Sequence, residues 1–359
     1  MKELKIGGIT ISPNHPPFII AEMSGNHNQS LDRALELVKA AADAGAHALK
    51  LQTYTADTIT IDHRGGLFEI TDSGSLWYGK NLYELYQEAH TPWEWHKEIF
   101  GYANALGMIA FSSPFDETAV DFLESLNVPA YKVASFESTH HPLLKKIAQT
   151  GKPVIISSGA SRLDDLYESI QVLKENGCKD IVILKCTSTY PATPENTNLN
   201  TIPVLQQIFP GCIIGLSDHT MGIGAAVAAV ALGARVIEKH FTLRRADGGV
   251  DSAFSLEPEE LKALVIESKR AFHALGIVQL DTQKSEQKSL QYKRSIYVVK
   301  DIQAGEVFTE ENIRVIRPGD GLEPKFWKYV IGKKAIVSID KGSPLKLDNI
   351  TSNTPNGNL

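Results

Sequence analysis

The sequence predicts a (β/α)₈ barrel followed by a small second domain. Eight short, nearly continuous apolar runs alternate with amphipathic helical patterns along the first 280 residues. Such runs are typical of parallel strands that are covered on both faces. Eight strand–helix units within the usual length of this barrel favour a closed sheet. A doubly wound open sheet is the structural alternative, because periodicity alone does not show closure.

The eight strands are predicted from runs that are rich in β-branched and aromatic residues. They are FIIAEM (18–23), ALKLQT (48–53), MIAFSS (108–113), AYKVAS (130–135), PVIISS (153–158), IVILKCT (181–187), CIIGLSD (212–218) and RVIEKHF (235–241). Helical patterns lie between them, such as SLDRALELVKAAADAG (30–45). Ser30 is the predicted N-cap of that helix, and Gly45 the residue just past its end.

Four segments follow from these patterns. Residues 1–280 form the barrel domain, 281–292 a polar linker, 293–351 a second domain and 352–359 a disordered tail. The second domain has β runs, SIYVVK and KKAIVSI, and turn signals, QAGE and DKGS. It is too small to bury a large core, so we expect it to dock on the barrel or on a partner chain.

Composition narrows the class of protein. Hydrophobic residues make up 43% of the 359 residues, charged residues 22%, and the formal charge is −6, which argues against broad nucleic-acid binding. Cys178, Cys186 and Cys212 have no metal or disulfide spacing, as expected in a reducing compartment. The sequence shows no apolar signal core and no run long enough to span a bilayer. We expect a cytoplasmic protein with neither membrane nor nucleic acid as partner.

Polar side chains stand at the carboxyl end of every predicted strand. They are Glu22; Lys50 and Gln52; Ser112 and Ser113; Lys132 and Ser135; Ser157 and Ser158; Lys185 and Thr187; Ser217 and His219; Glu238 and His240. One such residue would only indicate a strand that meets solvent. Eight strands in succession predict a functional site, because these ends converge on one face of a barrel.

Lys50 and Lys132 lie inside apolar strands, where an unpaired ammonium is costly. Together with serine hydroxyls they suit a small, multiply charged anion such as a phosphate or carboxylate. Gly159, in SSGAS, would let backbone N–H groups approach that anion. The alternative is a pair of structural salt bridges to Glu22, Glu137 or Glu238.

His219 and His240 end neighbouring predicted strands. Two neutral imidazoles, with the other positions left to water and substrate oxygen, suit a catalytic divalent metal. A structural role for each histidine is the alternative. Glu22 would lie beside them in a closed barrel, and Asp251, after the eighth strand, is a candidate for substrate contact. Trp77, in the long segment after the second strand, either lines a sugar pocket or packs in the core.

The motifs resemble those of the sialic-acid synthase family, in order and over nearly the whole chain. They are AEMSGNHNQS, LKLQTYTADT, FSSPFD, AYKVASFE, IISSGAS, LKCTSTYPA, LSDHTMG and IEKHFT. The segment SIYVVKDIQAGEVFTEENIRVIRPGDGLEPKF resembles that family's antifreeze-like (SAF) domain. The segment WYGKNLYELYQEAHTPWEWH, and Lys185 where neuraminate synthases usually have histidine, resemble the pseudaminate branch.

The resemblance implies a metal-dependent condensation of phosphoenolpyruvate with 2,4-diacetamido-2,4,6-trideoxy-L-altrose, releasing phosphate. Synthesis of N-acetylneuraminate or legionaminate is the alternative within the family. The implied cofactor is a divalent ion of the manganese type, with magnesium and cobalt as alternatives. The implied assembly is a domain-swapped homodimer.

The resemblance also implies a role for individual residues. His219 and His240 would hold the metal, and Glu22 would position water or the sugar. Phosphoenolpyruvate would contact Lys50, Gln52, Ser113, Lys132, Ser135, Ser157 and Ser217. The sugar would contact Tyr190, Asp251 and, from the small domain of a partner subunit, Arg317. Two other functions remain open: a Schiff-base aldolase that uses Lys132 or Lys185, and a non-catalytic protein that binds carbohydrate or anions.

Overall fold

The computed structural model describes residues 2–351 and divides the chain into two compact units. The first unit runs to Gly276, and the second begins at Ile277. The tail predicted at 352–359 lies outside the described residues.

The first unit is a closed barrel of eight parallel strands, preceded by a hairpin of β1 (Leu4–Ile6) and β2 (Ile9–Ile11). The barrel strands are β3 (Phe18–Glu22), β4 (Ala48–Thr53), β5 (Ile109–Pro114), β6 (Tyr131–Val133), β7 (Val154–Ser157), β8 (Ile181–Cys186), β9 (Ile213–Asp218) and β10 (Val236–His240). β10 pairs with β3, with His240 opposite Glu22. The sheet therefore closes on itself, which confirms the predicted barrel and excludes the open sheet.

Helices surround the barrel and fill its longer connections. They are α1 (Leu31–Asp43), α2 (Ala56–Ile59), α3 (Leu82–Ala89), α4 (His96–Ala105), α5 (Glu117–Ser125), α6 (His141–Ala148), α7 (Leu163–Glu175), α8 (Pro194–Thr197), α9 (Thr201–Ile208), α10 (Gly224–Ala231) and α11 (Pro258–Leu275). In α1 the Ser30 side chain accepts a hydrogen bond from the Arg33 amide, as predicted for an N-cap. Gly45 follows the helix with a φ of 86°, a conformation that favours glycine.

The core of the first unit lies on both faces of the sheet. All five residues of β3 and all six of β5, β8 and β9 are buried. Ile155 and Leu184 fill the barrel interior, while Leu37 and Val38 of α1 are part of the core outside it. The barrel is thus filled with side chains below its carboxyl end, and any site must lie at that end.

The second unit has a small core of its own, which includes Ile296, Phe308, Ile313 and Leu345. It contains β11 (Ser295–Val298), β12 (Ile313–Ile316) and one short helix, α12 (Trp327–Val330). β11 and β12 pair antiparallel. A 3₁₀ helix, Lys284–Tyr292, occupies most of the segment predicted as a linker.

The run KKAIVSI was expected to be a strand, and this expectation is wrong. Lys334, Ala335 and Ile339 each form a single bridge with a different partner segment. Within residues 333–339 only Ala335 and Ile339 are buried, so the run lacks the alternating burial of a regular strand. The sequence interpretation instead overlooked β12, which comes from the residues IRVI.

No helix within residues 2–351 combines the length and apolar character needed to cross a bilayer.

Candidate active site at the carboxyl end of the barrel

Strand register brings the predicted polar residues to one face. Residues paired laterally in a parallel sheet point their side chains the same way. Lys50 is opposite Glu22, which is opposite His240, and Gln52 is opposite Ser113. On the strands that continue the sheet past β3, Ser217 of β9 is opposite both Cys186 of β8 and Glu238 of β10. These side chains therefore share the barrel interior near its carboxyl end.

Lys50 is the centre of a buried cluster of charges. Its Nζ lies 2.8 Å from the Glu22 carboxylate, 3.1 Å from that of Glu238 and 3.4 Å from the Ser113 hydroxyl. The side chains of Lys50, Glu22 and Glu238 are each at most 6% exposed. Charges buried to this degree require compensating partners, which the lysine and the two glutamates provide for each other.

Lys132 faces the same space from β6. Its Nζ donates to the Ser157 hydroxyl at 2.7 Å and to the Val133 carbonyl at 3.0 Å, and it lies 3.8 Å from Glu238. Ser217 donates to the Glu238 carboxylate at 2.9 Å. The lysines are thus paired with Glu22 and Glu238, as the salt-bridge alternative expected, and not with Glu137. They nevertheless remain beside three serines at the mouth of the barrel.

The two carboxylates of the cluster differ in proton affinity. Burial raises the pKa of Glu22 to about 7, against the attraction of Lys50. Burial would also raise the pKa of Glu238, but Lys132 and Lys50 outweigh it and hold that pKa below its usual range. Carboxyl groups whose pKa values are driven apart in this way can divide acid and base roles between them.

His219 and His240 lie next to each other, with ring centroids 5.3 Å apart. His219 Nδ1 is 3.1 Å from the Thr187 carbonyl oxygen, which can only accept a hydrogen bond. Nδ1 therefore carries a proton, and in the neutral ring Nε2 has a free lone pair. His240 Nδ1 is buried with no hydrogen-bond partner among the described residues, 3.8 Å from Asp251.

These histidines fit a divalent metal. A buried, unpartnered ring nitrogen beside a second available imidazole nitrogen is a donor set that a metal ion would complete. Within residues 2–351 no three His, Cys, Asp or Glu side chains gather as a ready metal site. Two protein ligands would leave the other positions to water and substrate, as the sequence predicted.

Aromatic side chains border the histidines, and we call Trp77, Tyr190 and Phe254 the aromatic wall. The distance between ring centroids is 4.6 Å for Tyr190 and His219, 4.9 Å for Phe254 and His240, and 5.8 Å for Trp77 and Tyr190. The Trp77 indole N–H donates to the Val250 carbonyl at 2.9 Å. The long segment after β4 is thereby joined to the loop after β10.

Ser135 and Gly159 form the side of the site next to Cys186. The Ser135 hydroxyl lies 3.5 Å from the Cys186 thiol. A Cβ on Gly159 would come within 2.1 Å of the Ser188 hydroxyl and 2.6 Å of that of Ser135. A larger residue here would force these two hydroxyls to move. The constraint on Gly159 is space and not backbone conformation, since its φ is not positive.

The remaining predicted residues fall in different places. Asp251 accepts a hydrogen bond from the Ser24 hydroxyl, and Gln52 is half-buried on the inner face. Lys185 pairs with Leu216, and the next residue, Cys186, pairs with Ser217, which points into the barrel. Because side chains alternate along a strand, Lys185 points to the outer face of the sheet. Arg317 is exposed and belongs to the second unit, where it follows β12.

Sequence reasoning left three residues of this site out of the predicted set. Glu238 was noted only as a strand end and a salt-bridge partner, although it contacts Lys50, Lys132 and Ser217. A glutamate within an otherwise apolar strand was the signal that could have identified Glu238 as a site residue. Ser24 and Phe254 lie in loops and carried no signal of their own.

Family models match most of the chain. A model described as the NeuB family matches residues 37–279, and one described as the SAF domain matches residues 293–351. The chain belongs to the NeuB family. The SAF match has the same limits as the second domain predicted from the sequence.

Individual relatives resemble this NeuB family member over nearly their full length. The pseudaminic acid synthase of Campylobacter jejuni is 46% identical over 92% of this chain and 95% of its own. That of Helicobacter pylori is 44% identical over 93% of this chain and 98% of its own. A crystal structure of the N-acetylneuraminic acid synthetase of Leptospira borgpetersenii, in complex with citrate, matches with a TM-score of 0.70 and 32% identity. The match covers 81% of this chain and 96% of that one.

Proposed function

We propose that this protein condenses phosphoenolpyruvate with 2,4-diacetamido-2,4,6-trideoxy-L-altrose, releases phosphate and thus acts as a pseudaminic acid synthase. The observation that carries the proposal is the position of two buried ammonium groups beside a pair of available histidines at one end of the barrel. The 46% identity to a pseudaminic acid synthase supports the choice of sugar.

Lys50 and Lys132 bind the phosphate and carboxylate of phosphoenolpyruvate. Their charges are already desolvated, so they interact strongly with an entering anion. Ser113 and Ser157 contact these ammonium groups, and Ser135, Ser217 and Gln52 complete the donors. Binding of the anion would compete with Glu22 and Glu238 for the lysines, because both carboxylates lie beside these ammonium groups.

His219 and His240 hold the divalent ion. Once bound there, the ion supplies Lewis-acid polarisation of the sugar aldehyde. Tyr190 and Asp251 orient the open-chain sugar, and the aromatic wall covers the apolar side of the site. Manganese is the proposed ion, with magnesium and cobalt as the alternatives.

Glu22 is the proposed base. In the reaction, C3 of phosphoenolpyruvate bonds to the aldehyde carbon as the C2–C3 and aldehyde C=O π bonds open, and the OH of a water molecule adds to C2. The C2–O bond to phosphate then breaks as the C2–OH becomes a carbonyl and passes its proton to the phosphate. The oxygen of the former aldehyde takes up the proton that Glu22 receives from the water. Glu22 accepts the proton of that water, because burial raises its pKa to about 7, which suits a base near neutral pH. Lys50 and Lys132 stabilise the charge that moves onto the leaving phosphate.

The assembly is also part of the proposal. Arg317 of a partner subunit contacts an acetamido group of the sugar in a domain-swapped homodimer. Its exposure in the SAF domain leaves it free for such a contact. Cys178, Cys186 and Cys212 form no disulfide, which supports a cytoplasmic location.

A phosphate-release assay tests the function. Phosphoenolpyruvate is mixed with the trideoxy diacetamido altrose, its gluco-derived isomers or N-acetylmannosamine. We expect release with the altrose, loss of release after chelation, recovery with Mn²⁺, and a folded but inactive His240→Ala variant. Preference for N-acetylmannosamine would replace the assigned sugar but keep the reaction class. Near-normal turnover by metal-stripped His240→Ala would end the metal-dependent scheme.

A Schiff-base aldolase is the other enzyme class that experiments must distinguish from the proposed synthase. It would use pyruvate and no metal, and borohydride would trap its lysine adduct. Lys185 points away from the barrel interior, so Lys132 is the lysine that such an experiment would label. A binding protein without activity would release no phosphate with any sugar.

A further inference from the structure

Lys185 is a buried lysine to which the proposed reaction gives no role. Its residue exposure is 6%, and it faces outward from β8 because it pairs with Leu216. A buried ammonium requires hydrogen-bond partners. Nζ donates to the Thr187 hydroxyl at 2.5 Å, and that hydroxyl donates to the Asn196 carbonyl at 3.1 Å.

The same Thr187 residue contacts His219. Its carbonyl oxygen accepts a hydrogen bond from His219 Nδ1 at 3.1 Å. The backbone of Thr187 therefore contacts His219, while its side chain contacts Lys185. Two residues past Tyr190, the Ala192 amide donates to the His219 carbonyl at 3.1 Å. The loop that follows β8 therefore holds His219 at both its ring and its backbone.

We propose that Lys185 is a positioning residue for His219. By fixing the Thr187 side chain, it fixes the direction of the carbonyl that sets the His219 tautomer and ring orientation. Partners of this kind orient metal-ligating histidines, and their loss typically weakens metal binding 10–100-fold. The inference rests on the proposed function, in which Nε2 of His219 binds the divalent ion.

The charge of Lys185 favours this role over simple packing. Burying an ammonium is costly, and an apolar side chain of the same length would fill the space without that cost. The single side-chain acceptor that Lys185 contacts in the described chain belongs to the residue that holds His219.

The test measures Mn²⁺ binding by calorimetry to the full-length protein after removal of metal with a chelator. Lys185→Met keeps the length of the side chain and removes its donor, and Thr187→Val removes the hydroxyl. We expect each variant to bind Mn²⁺ about tenfold more weakly than the unmodified protein. Lys185→Arg, which keeps a cationic donor, should retain more affinity than Lys185→Met.

Lys152→Met is the matched control, because Lys152 is ion-paired with Glu124 and is not among the residues of the site. It should bind Mn²⁺ normally. Thermal unfolding is recorded for every variant, since a merely structural lysine would lower the melting temperature and leave the affinity unchanged. That result for both Lys185→Met and Thr187→Val would overturn the inference.

His219→Ala separates this inference from the proposed function. If His219→Ala binds Mn²⁺ as tightly as the unmodified protein, the metal ligand itself has been assigned wrongly. If His219→Ala loses binding while Lys185→Met and Thr187→Val keep it, only the positioning role fails.

Discussion

Lys132 lies 3.8 Å from the Glu238 carboxylate, close enough for attraction but beyond hydrogen-bond distance. Burial consequently dominates, and it lowers the pKa of Lys132 to about 8 in spite of Glu238. Lys50 contacts two carboxylates, and although burial opposes the charge on its ammonium, these partners raise its pKa. The two lysines of the anion site therefore differ in how firmly they hold their protons.

We expect kcat/KM for phosphoenolpyruvate to fall above about pH 8, because kcat/KM follows the ionisation of the free enzyme. Below the pKa of about 8, Lys132 is charged and attracts the anion; above it, the neutral amine does not. Burial has the largest effect on this pKa, and the charged or titratable groups that modify it are Glu238, Lys50, Cys186 and Glu22. The measurement is initial phosphate release against pH at saturating sugar.

Lys132→Met provides the control for this pH dependence. It should bind phosphoenolpyruvate poorly at every pH and lack the fall near pH 8. An alkaline fall of the same size in Lys132→Met would assign the effect to another group.

Gly159→Ala should weaken phosphoenolpyruvate binding. The added methyl would overlap the hydroxyls of Ser188 and Ser135, so Ser135 must move away from the anion site. Overpacking of this kind typically costs about 1–3 kcal/mol of stability. We expect a higher KM for phosphoenolpyruvate and a lower melting temperature, measured by phosphate release and thermal unfolding.

Gly101→Ala is the matched control for that substitution. Gly101 lies within α4, and its added methyl would meet open space. Alanine is the better helix former by roughly 1 kcal/mol, so this variant should be slightly more stable and fully active. Equal KM values for the two alanine variants would show that Gly159 is not needed beside Ser135.

The strands of the barrel were predictable because burial on both faces leaves a continuous apolar run. Each of the eight runs predicted as barrel strands coincides with an observed strand to within two residues at each end. The lysines and histidines of the site were predictable for a related reason. A polar or charged side chain within an apolar strand needs a hydrogen-bond or charge partner, so its presence indicates a site. In the small domain this signal is less reliable: SIYVVK coincides with β11, but KKAIVSI forms no strand, because its bridges change partner every few residues.

Loop residues of the site were not predictable in the same way. Ser24 and Phe254 reach the site through connections whose path no periodicity describes. The outward direction of Lys185 depends on register, and a shift of one residue would have turned it into the barrel. The pairing of Lys185 with Leu216 is what shows that its side chain points outward, and the sequence alone does not give this pairing.

Trp77→Ala should raise KM for the trideoxy sugar about tenfold, which corresponds to the loss of burial of roughly two methyl groups. The aromatic wall offers apolar surface next to the histidines, and the trideoxy sugar has two acetamido methyls and a C6 methyl. The penalty should be smaller for N-acetylmannosamine, whose C6 carries a hydroxyl. Steady-state kinetics with both sugars gives the comparison.

Two variants show which property of Trp77 matters. Trp77→Phe keeps an aromatic ring but loses the hydrogen bond to Val250, and it should keep the preference between the sugars. Leu67→Ala, in the same long segment and 96% exposed, should change neither KM. An equal penalty for both sugars in Trp77→Ala would mean that the ring supports the loop without recognising the methyl groups.

His96 should make the barrel sensitive to acid. It is fully buried, its Nδ1 donates to the Pro92 carbonyl at 3.2 Å, and its Nε2 accepts from Thr53 at 2.8 Å. Burial lowers its pKa from 6.5 to about 4. The unfolded chain therefore takes up a proton first as the pH falls, and stability is lost between about pH 6.5 and pH 4.

His96→Gln removes this titration while it keeps polar atoms near Thr53 and Pro92. We expect the fall in unfolding free energy from about pH 7 to about pH 5 to shrink by about 2 kcal/mol, measured by urea unfolding at both values. His27, whose pKa burial also lowers to about 4, should sustain the rest of the fall together with His240 and His47, whose pKa values burial lowers as well. The exposed His273→Gln is the control, and it should leave the fall unchanged. If His96→Gln loses as much stability on acidification as His273→Gln does, the protonation of His96 does not limit the acid stability of the barrel.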